Sequence, residues 1–237
     1  MVASLKNRIA LVTGASRGIG AAVAKRFAKE GAHVILVART QGALEALHDE
    51  IVAAGSTATI VAMDLRDHNK IDELGAQIAQ RFGKLDVLVG NAAILGDLTP
   101  LAHADSKMWD NVISINLTAN WRLIRSLDPL LKASDAGRAM FVTSGVAGYA
   151  RAYWGPYSAS KAALEMLVNT YALEVEQTSV KVNLIDPAVV RTNMRASAMP
   201  GEDPLTLPHP DSITDIFVKL ASPEFAENGR RFNVSKT

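Results

Sequence analysis

The chain has 237 residues, a formal net charge of +1 and no cysteine. The balanced charge gives no reason to expect nucleic acid or an anionic membrane as a partner, and the lack of cysteine excludes disulfides, zinc–thiolate sites and thiol catalysis. No apolar run reaches the ~18 residues of a membrane span. The N-terminus lacks the apolar core of a signal peptide, so we expect a cytoplasmic protein.

Strand and helix patterns alternate along the chain. Short apolar runs predict strands at residues 8–13, 33–38, 57–63, 85–90, 139–143, 180–185 and 230–234. Between them apolar residues recur at helical spacing, and the longest such segments are 106–131, with a break near Asn116, and 156–177. A proline-rich loop is predicted at 187–210 and a short helix at 211–221. This alternation predicts a parallel sheet flanked by helices on both faces.

The turn after the first strand contains Gly14, Gly18 and Gly20 in the spacing Gly-x-x-x-Gly-x-Gly. Glycines allow a tight turn and a close approach of the backbone to a pyrophosphate, and the following helix offers free N–H groups to phosphates. The sequence therefore predicts an α/β fold with a doubly wound, Rossmann-type parallel sheet. We expect residues 1–237 to form a single dinucleotide-binding catalytic domain, with its site beyond the carboxyl ends of the strands.

Tyr157 and Lys161 are separated by one helical turn, so both side chains project from the same face of the predicted helix. A cation beside a phenol favours the phenolate and lowers the pKa of the phenol. The pair is therefore predicted to be a tuned acid/base that moves a proton near neutral pH. The spacing alone is common, and a surface tyrosine beside a solvated lysine is the alternative.

Further short motifs accompany the glycine turn and this pair in a fixed order along the chain. They are Asp64-Leu65 after the third strand, Asn91-Ala92-Ala93 after the fourth, Asn116 within a helix, Ser144 after the fifth strand and Pro187 after the sixth. In this combination the chain, over roughly residues 5–235, resembles the short-chain dehydrogenase/reductase family. The resemblance implies an oxidoreductase that transfers a hydride between a nicotinamide cofactor and a carbonyl or alcohol substrate.

The resemblance also implies roles for four catalytic residues. Tyr157 matches the general acid/base, and Lys161 matches the residue that lowers the pKa of the tyrosine and binds the nicotinamide ribose. Ser144 matches the hydroxyl that orients the substrate oxygen, and Asn116 matches the residue that holds a water in a proton relay. Considered alone, Ser144 would be an ordinary turn residue and Asn116 a helix-break or capping residue.

The end of the second strand indicates which cofactor to expect. NAD-binding proteins of this fold carry an acidic residue there, whereas residues 37–40 read Val-Ala-Arg-Thr. Arg39, with Arg17 as its partner, is predicted to face the 2′-phosphate of NADP(H), and solvated surface arginines are the alternative. Asp64 matches the residue that accepts from the adenine amino group. The residues expected to bind the cofactor are Gly14, Ser16, Arg17, Gly18, Ile19, Gly20, Arg39, Asp64, Leu65, Asn91, Ala92, Tyr157, Lys161, Pro187, Val190 and Thr192.

Three positions depart from the family pattern. Thr143 replaces the usual serine before the catalytic serine, Ala93 replaces the glycine of an Asn-Ala-Gly turn, and Ala188 replaces the glycine after Pro187. If position 93 needs a positive φ, Ala93 would be strained. Ala188 is expected to stiffen or shift the wall around the nicotinamide.

Substrate identity is expected to reside mainly in the loop at about 188–210 and in the loops at 94–100 and 146–155. Met194 and Met199 suit an adaptable apolar pocket there. Arg191 and Arg195 are expected to be surface residues, with binding of an anionic substrate as the alternative. The five histidines show no spacing typical of a metal site, so no metal is expected.

Two classes of function remain open at this stage. One is a catalytically active oxidoreductase for a small carbonyl or alcohol substrate, and the other is a catalytically silent NADP(H)-binding sensor or scaffold protein. The complete set of four catalytic residues argues against the second. The predicted helices at 106–131 and 156–177 carry apolar residues on more than one side, which predicts pairing with another subunit in a homotetramer or homodimer.

Overall fold

The structure is a computed structural model that describes residues 5–234, so the predicted domain ends, 1–4 and 235–237, lie outside it. The described residues form seven strands: β1 (Ile9–Thr13), β2 (His33–Ala38), β3 (Thr57–Ala62), β4 (Val87–Gly90), β5 (Arg138–Val142), β6 (Lys181–Asp186) and β7 (Arg231–Asn233). They pair in parallel in the order β3-β2-β1-β4-β5-β6-β7. This confirms the predicted doubly wound, Rossmann-type sheet.

The described residues also form eight α-helices: α1 (Gly18–Lys29), α2 (Gln41–Ala53), α3 (His68–Phe82), α4 (Ser106–Ile113), α5 (Ala119–Lys132), α6 (Gly155–Glu174), α7 (Asn193–Ala198) and α8 (Thr214–Ala221). Helices α1, α2 and α8 pack on one face of the sheet, and α3, α5 and α6 pack on the other. Because both faces are covered, the central strands are continuous apolar runs. Among the described helices, none combines the length and apolar character that a membrane span requires.

The strand order indicates where on the sheet a ligand site is to be expected. The chain runs outward from β1 to β2 and β3, and then crosses to β4 on the other side of β1. In open α/β sheets this reversal leaves a crevice at the carboxyl ends of the two central strands, where ligands bind. Gly14 and Asn91 directly follow β1 and β4, so both lie at this position.

In two segments the structure adds detail that the sequence prediction lacked. Residues 187–210 are not a loop throughout, since they contain α7, which begins where Thr192 Oγ1 accepts from the backbone N of Arg195 at 3.1 Å. Six residues are too few for an apolar period to be recognised in the sequence. The break predicted near Asn116 is confirmed, and it is a π-helical segment, Ser114–Thr118, between α4 and α5. Such segments are rare and often lie at functional sites.

Candidate active site

The carboxyl ends of the strands surround a crevice of about 1060 Å³. This is at the upper limit of the ~300–1,000 Å³ typical of small-molecule sites, which leaves room for a dinucleotide and a small substrate. The predicted site residues that line it are Gly14, Ser16, Arg17, Gly18, Ile19, Arg39, Asp64, Leu65, Asn91, Ala92, Ser144, Tyr157, Lys161, Pro187, Val190 and Thr192. The two remaining predicted residues, Gly20 and Asn116, lie behind this wall.

The glycine turn after β1 has the shape and polarity to hold a pyrophosphate. Gly14 has a φ of +67°, and a Cβ on Gly20 would lie 2.3 Å from the Gly14 carbonyl oxygen. Gly20 therefore supports the turn by close packing, and its contact with a cofactor stays a prediction. Arg17 precedes α1 without a side-chain cap, so the first N–H groups of the helix are available to an anion in the crevice.

Thr13, which was not predicted as a site residue, ties the glycine turn to the turn after β4. Its Oγ1 accepts from the backbone N of Asn91 at 2.9 Å and of Ala92 at 3.1 Å, and it donates to the Val89 carbonyl at 3.2 Å. Asn91 Nδ2 donates in return to the Thr13 carbonyl at 2.8 Å. The two turns are therefore held together at the switch point. The position of Thr13 next to Gly14 in the motif was the available sequence signal.

Asp64, expected to accept from an adenine, is already bound by an arginine. Arg66 Nη2 donates to Asp64 Oδ2 at 2.6 Å, and its Nε lies 3.1 Å from the same oxygen. Hydrogen bonds from the Arg66 side chain lower the pKa of Asp64. Arg39 Nη1 lies 4.0 Å from the carboxylate, with its side chain 55% exposed. Arg39 thus stands at the crevice edge, where the sequence predicts it, but in a charge cluster that includes the unpredicted Arg66.

Tyr157 and Lys161 lie one turn apart on the buried side of α6, as predicted. Lys161 Nζ lies 5.8 Å from the centre of the Tyr157 ring and donates to the Val142 carbonyl at 2.8 Å. Burial lowers the pKa of Lys161 to about 8, and the Glu165 carboxylate acts in the opposite direction. The ammonium is therefore fixed at the end of β5, beside the phenol.

The pKa of Tyr157 differs in direction from the prediction. Burial raises the pKa of Tyr157 to about 12, a hydrogen bond with Ser144 acts against that rise, and the Asp186 carboxylate adds to it. Desolvation disfavours the phenolate more than the hydrogen bond favours it. At neutral pH the phenol is therefore protonated, which is the state that a proton donor requires.

The departure at Thr143 has a clear structural role. Thr143 is buried at the end of β5, and its Oγ1 donates to Glu165 Oε1 at 2.7 Å. Because Glu165 lies on α6, this hydrogen bond fixes the strand end to the helix that carries Tyr157. Ser144 follows in extended backbone, with its side chain hydrogen-bonded to Tyr157.

Asn116 is fully buried in the π-helical segment and does not reach the crevice. Its Oδ1 accepts from the backbone N of Ile94 at 2.9 Å, and its Nδ2 donates to the Ile94 carbonyl at 2.9 Å and to Ser160 Oγ at 3.0 Å. These contacts hold the segment after β4 against α6. Asn116 therefore has a structural role beside the crevice, and its role in holding a water of a proton relay stays a prediction.

Strained backbone occurs at Ala188 and not at Ala93. Ala188 has a φ of +57°, whereas Ala93 is not among the described residues with a positive φ. A non-glycine residue in the left-handed region costs about 1–2 kcal/mol. The Ala188 N–H donates to Asp186 Oδ1 at 3.0 Å, which helps to hold this turn at the crevice wall.

An apolar cluster adjoins Tyr157 at the crevice. Its members are Val146, Trp154, Tyr157 and Ala198, with Leu95, Leu98, Met194 and Met199 packed against them. Trp154 packs edge-to-face with Tyr157, with ring centres 6.1 Å apart.

Arg195 is paired with Glu202 by two contacts of 2.6 and 2.7 Å, so its charge is balanced within the chain. Arg191 lines the crevice.

Comparison with known proteins agrees with this geometry. The model of the family "short chain dehydrogenase" matches residues 8–203. The oxidoreductase YciK of Escherichia coli is 38% identical over 219 residues, which are 91% of this chain and 86% of that protein. The structure of a short-chain dehydrogenase from Pseudomonas syringae is 40% identical with a TM-score of 0.95, covering 99% of this chain and 97% of that one. One from Shigella flexneri, complexed with NADP, is 36% identical with a TM-score of 0.95, covering 99% and 100%.

The chain therefore belongs to the short-chain dehydrogenase family, and the predicted resemblance is confirmed. It is an enzyme of the oxidoreductase class to which these relatives belong.

Proposed function

We propose that the protein transfers a hydride between NADP(H) and a carbonyl or alcohol substrate, with Tyr157 as the acid/base. The observation that carries this proposal is the convergence of Tyr157, Lys161 and Ser144 with the glycine turn on one crevice. The fold alone hosts many activities, so the residues of this site are what distinguish this reaction from others.

The chain's residues fit NADP(H) on chemical grounds. The uncapped start of α1 and the glycine turn suit the pyrophosphate, and Lys161 suits the nicotinamide ribose. Arg39 follows β2, where an NAD-specific acid would stand, and Arg17 in the glycine turn lines the same crevice, so both suit the 2′-phosphate. The NADP complex of the similar Shigella flexneri protein supports this preference.

The cofactor supplies or accepts the hydride, while the protein supplies position and the proton. In reduction, the Ser144 hydroxyl orients the substrate oxygen, and the Tyr157 hydroxyl donates its proton to that oxygen. Lys161, an ammonium below about pH 8, stabilises the negative charge left on the tyrosine oxygen. In the opposite direction, Tyr157 accepts the proton from an alcohol.

The substrate we propose is a small molecule with an apolar body next to its carbonyl or alcohol group. The cluster around Trp154 provides an apolar wall beside Tyr157, and Met194 and Met199 add flexible side chains that adapt to different shapes. Both methionines lie in the segment at about 188–210, which we propose as the substrate loop.

The test of this function is NADPH oxidation with a panel of ketones, aldehydes, quinones and acyl-thioester ketones of increasing apolar size. Consumption that depends on substrate and enzyme supports the proposal. Tight NADPH binding without consumption for any member would overturn it in favour of the sensor or scaffold protein.

We also propose that the protein acts in the cytoplasm as a homotetramer or homodimer. Several large apolar side chains on α5 and α6 are exposed, namely Trp121, Met166 and Leu173. Pairing of these helices across a symmetry axis would cover them. Light scattering that reports only a 25.3 kDa particle at micromolar concentration would refute the oligomer.

A further inference from the structure

Arg231, on the edge strand β7, joins three parts of the site wall. Its Nε lies 2.9 Å from Glu165 Oε1 on α6, and its Nη2 lies 3.1 Å from Asp186 Oδ2 at the end of β6. The same Nη2 donates to the Ser144 carbonyl at 3.1 Å. One planar guanidinium therefore connects the end of β5, the helix of the acid/base pair and the end of β6. A lysine cannot reproduce this fork of donors.

Both carboxylates are linked in turn to residues that shape the site. Glu165 lies one turn after Lys161 on α6 and accepts from Thr143 Oγ1 at 2.7 Å. Asp186 accepts from the backbone N of Ala188 at 3.0 Å, in the strained turn. A shift of either acid would therefore move the neighbours of the catalytic serine or the turn at the crevice wall.

The charges around the acid/base pair are balanced through this arginine. Glu165 faces Lys161 from α6 and raises its pKa, although burial has the larger effect. Asp186 faces Tyr157 from β6 and likewise raises its pKa, in addition to the rise caused by burial. The Glu165 and Asp186 side chains are only 20% and 5% exposed, so solvent screens them little. Arg231 is the cation that both acids share.

We propose that Arg231 is a positioning residue for the Tyr157–Lys161 pair. By binding two carboxylates and the Ser144 carbonyl at once, it holds the end of β5 against α6 and offsets the negative charge beside the pair. This inference rests on the proposed function, because it assigns Arg231 a part in the same reaction.

The first test follows the ionisation of Lys161 directly and needs no turnover. The pKa of Lys161 is measured from its ¹³Cε NMR signal in lysine-labelled protein, with Lys161→Met used for assignment. Arg231→Met removes the shared cation, so the pKa of Lys161 should rise by roughly 0.5–1 unit. Glu165→Gln removes the acid beside the lysine, so the pKa should fall by a similar amount. Shifts of opposite sign distinguish a charge balance from a loss of packing.

The second test follows activity with a substrate identified in the panel. The alkaline limb of the kcat/KM profile should move to higher pH in Arg231→Met and to lower pH in Glu165→Gln. The kcat of Arg231→Met should also fall about 10- to 100-fold, because Ser144 is misplaced. Arg231→Lys keeps the charge without the fork, so it should restore the pKa but only part of kcat. Circular dichroism shows whether each variant is folded. If Arg231→Met does not fold, the same measurements are made on Arg231→Lys and Glu165→Gln.

The matched control is Arg230→Met. Arg230 is the preceding residue, and its side chain is 69% exposed. The one ion pair that this side chain forms among residues 5–234 is with Glu227, at 3.9 Å, so this variant should behave like wild type. The proposal is overturned if Arg231→Met matches the Arg230→Met control, or if Arg231→Met and Glu165→Gln shift the pKa of Lys161 in the same direction. Absence of turnover in the wild type would count against the proposed function, while the NMR result would still decide the charge balance.

Discussion

Replacement of Tyr157 by phenylalanine removes one hydroxyl from the crevice and keeps the ring. Tyr157 is 7% exposed and its ring packs against Trp154 at 6.1 Å between ring centres, and the phenylalanine ring retains this packing. The lost hydrogen bond with Ser144 costs about 0.5–1.5 kcal/mol of folding free energy. Proton transfer by a positioned side chain is worth about 10²–10⁴-fold. We therefore expect kcat to fall by about that factor, with little change in melting temperature or NADPH affinity.

The assay is NADPH oxidation under conditions where the chemical step limits the rate, with NADPH affinity measured separately by fluorescence. Tyr153→Phe is the matched control, since Tyr153 is a neighbouring tyrosine whose side chain is 59% exposed. Lys161→Ala should lower both turnover and cofactor affinity, because Lys161 is proposed to serve both. If Tyr157→Phe keeps more than about a tenth of wild-type turnover, the tyrosine is not the proton donor.

Three further predictions follow from the crevice. Arg39→Ala should weaken NADPH binding about tenfold and leave NADH binding nearly unchanged, because only NADPH offers a 2′-phosphate to a charge-assisted contact; equal wild-type affinities for the two cofactors would contradict this. Gly20→Ala should lower the free energy of unfolding, measured by chemical denaturation, by about 1–3 kcal/mol, since its Cβ would lie 2.3 Å from the Gly14 carbonyl oxygen. Gly42→Ala is the control, because a Cβ there meets no described atom within 4 Å. Equal stabilities of the two variants would refute the packing argument. The kcat/KM of reduction should decrease as pH rises through about 8, because Lys161 then loses its proton; a profile that is flat to about pH 10 would show that this ammonium is not required.

Local patterns in the amino-acid sequence are enough to predict the fold class and most of the residues that line the crevice. Strand and helix patterns depend on apolar spacing within short segments, and the glycine turn is a local signal. Parallel strands place their carboxyl ends at one edge of a sheet, so residues that follow strands could be expected to meet. This is why Gly14, Asn91, Ser144 and Pro187 were predicted together and line one crevice.

Which side chains touch, and how they ionise, depends on packing between segments that are distant in the sequence. Arg231 and Ser144 are 87 positions apart, and Asn116 and Ile94 are 22 apart, so no local pattern links either pair. The pKa of Tyr157 shows the same limit, because a neighbouring lysine predicts a decrease, whereas burial raises it to about 12. Burial is a property of the packed fold, in which the desolvation of the phenol outweighs the hydrogen bond with Ser144.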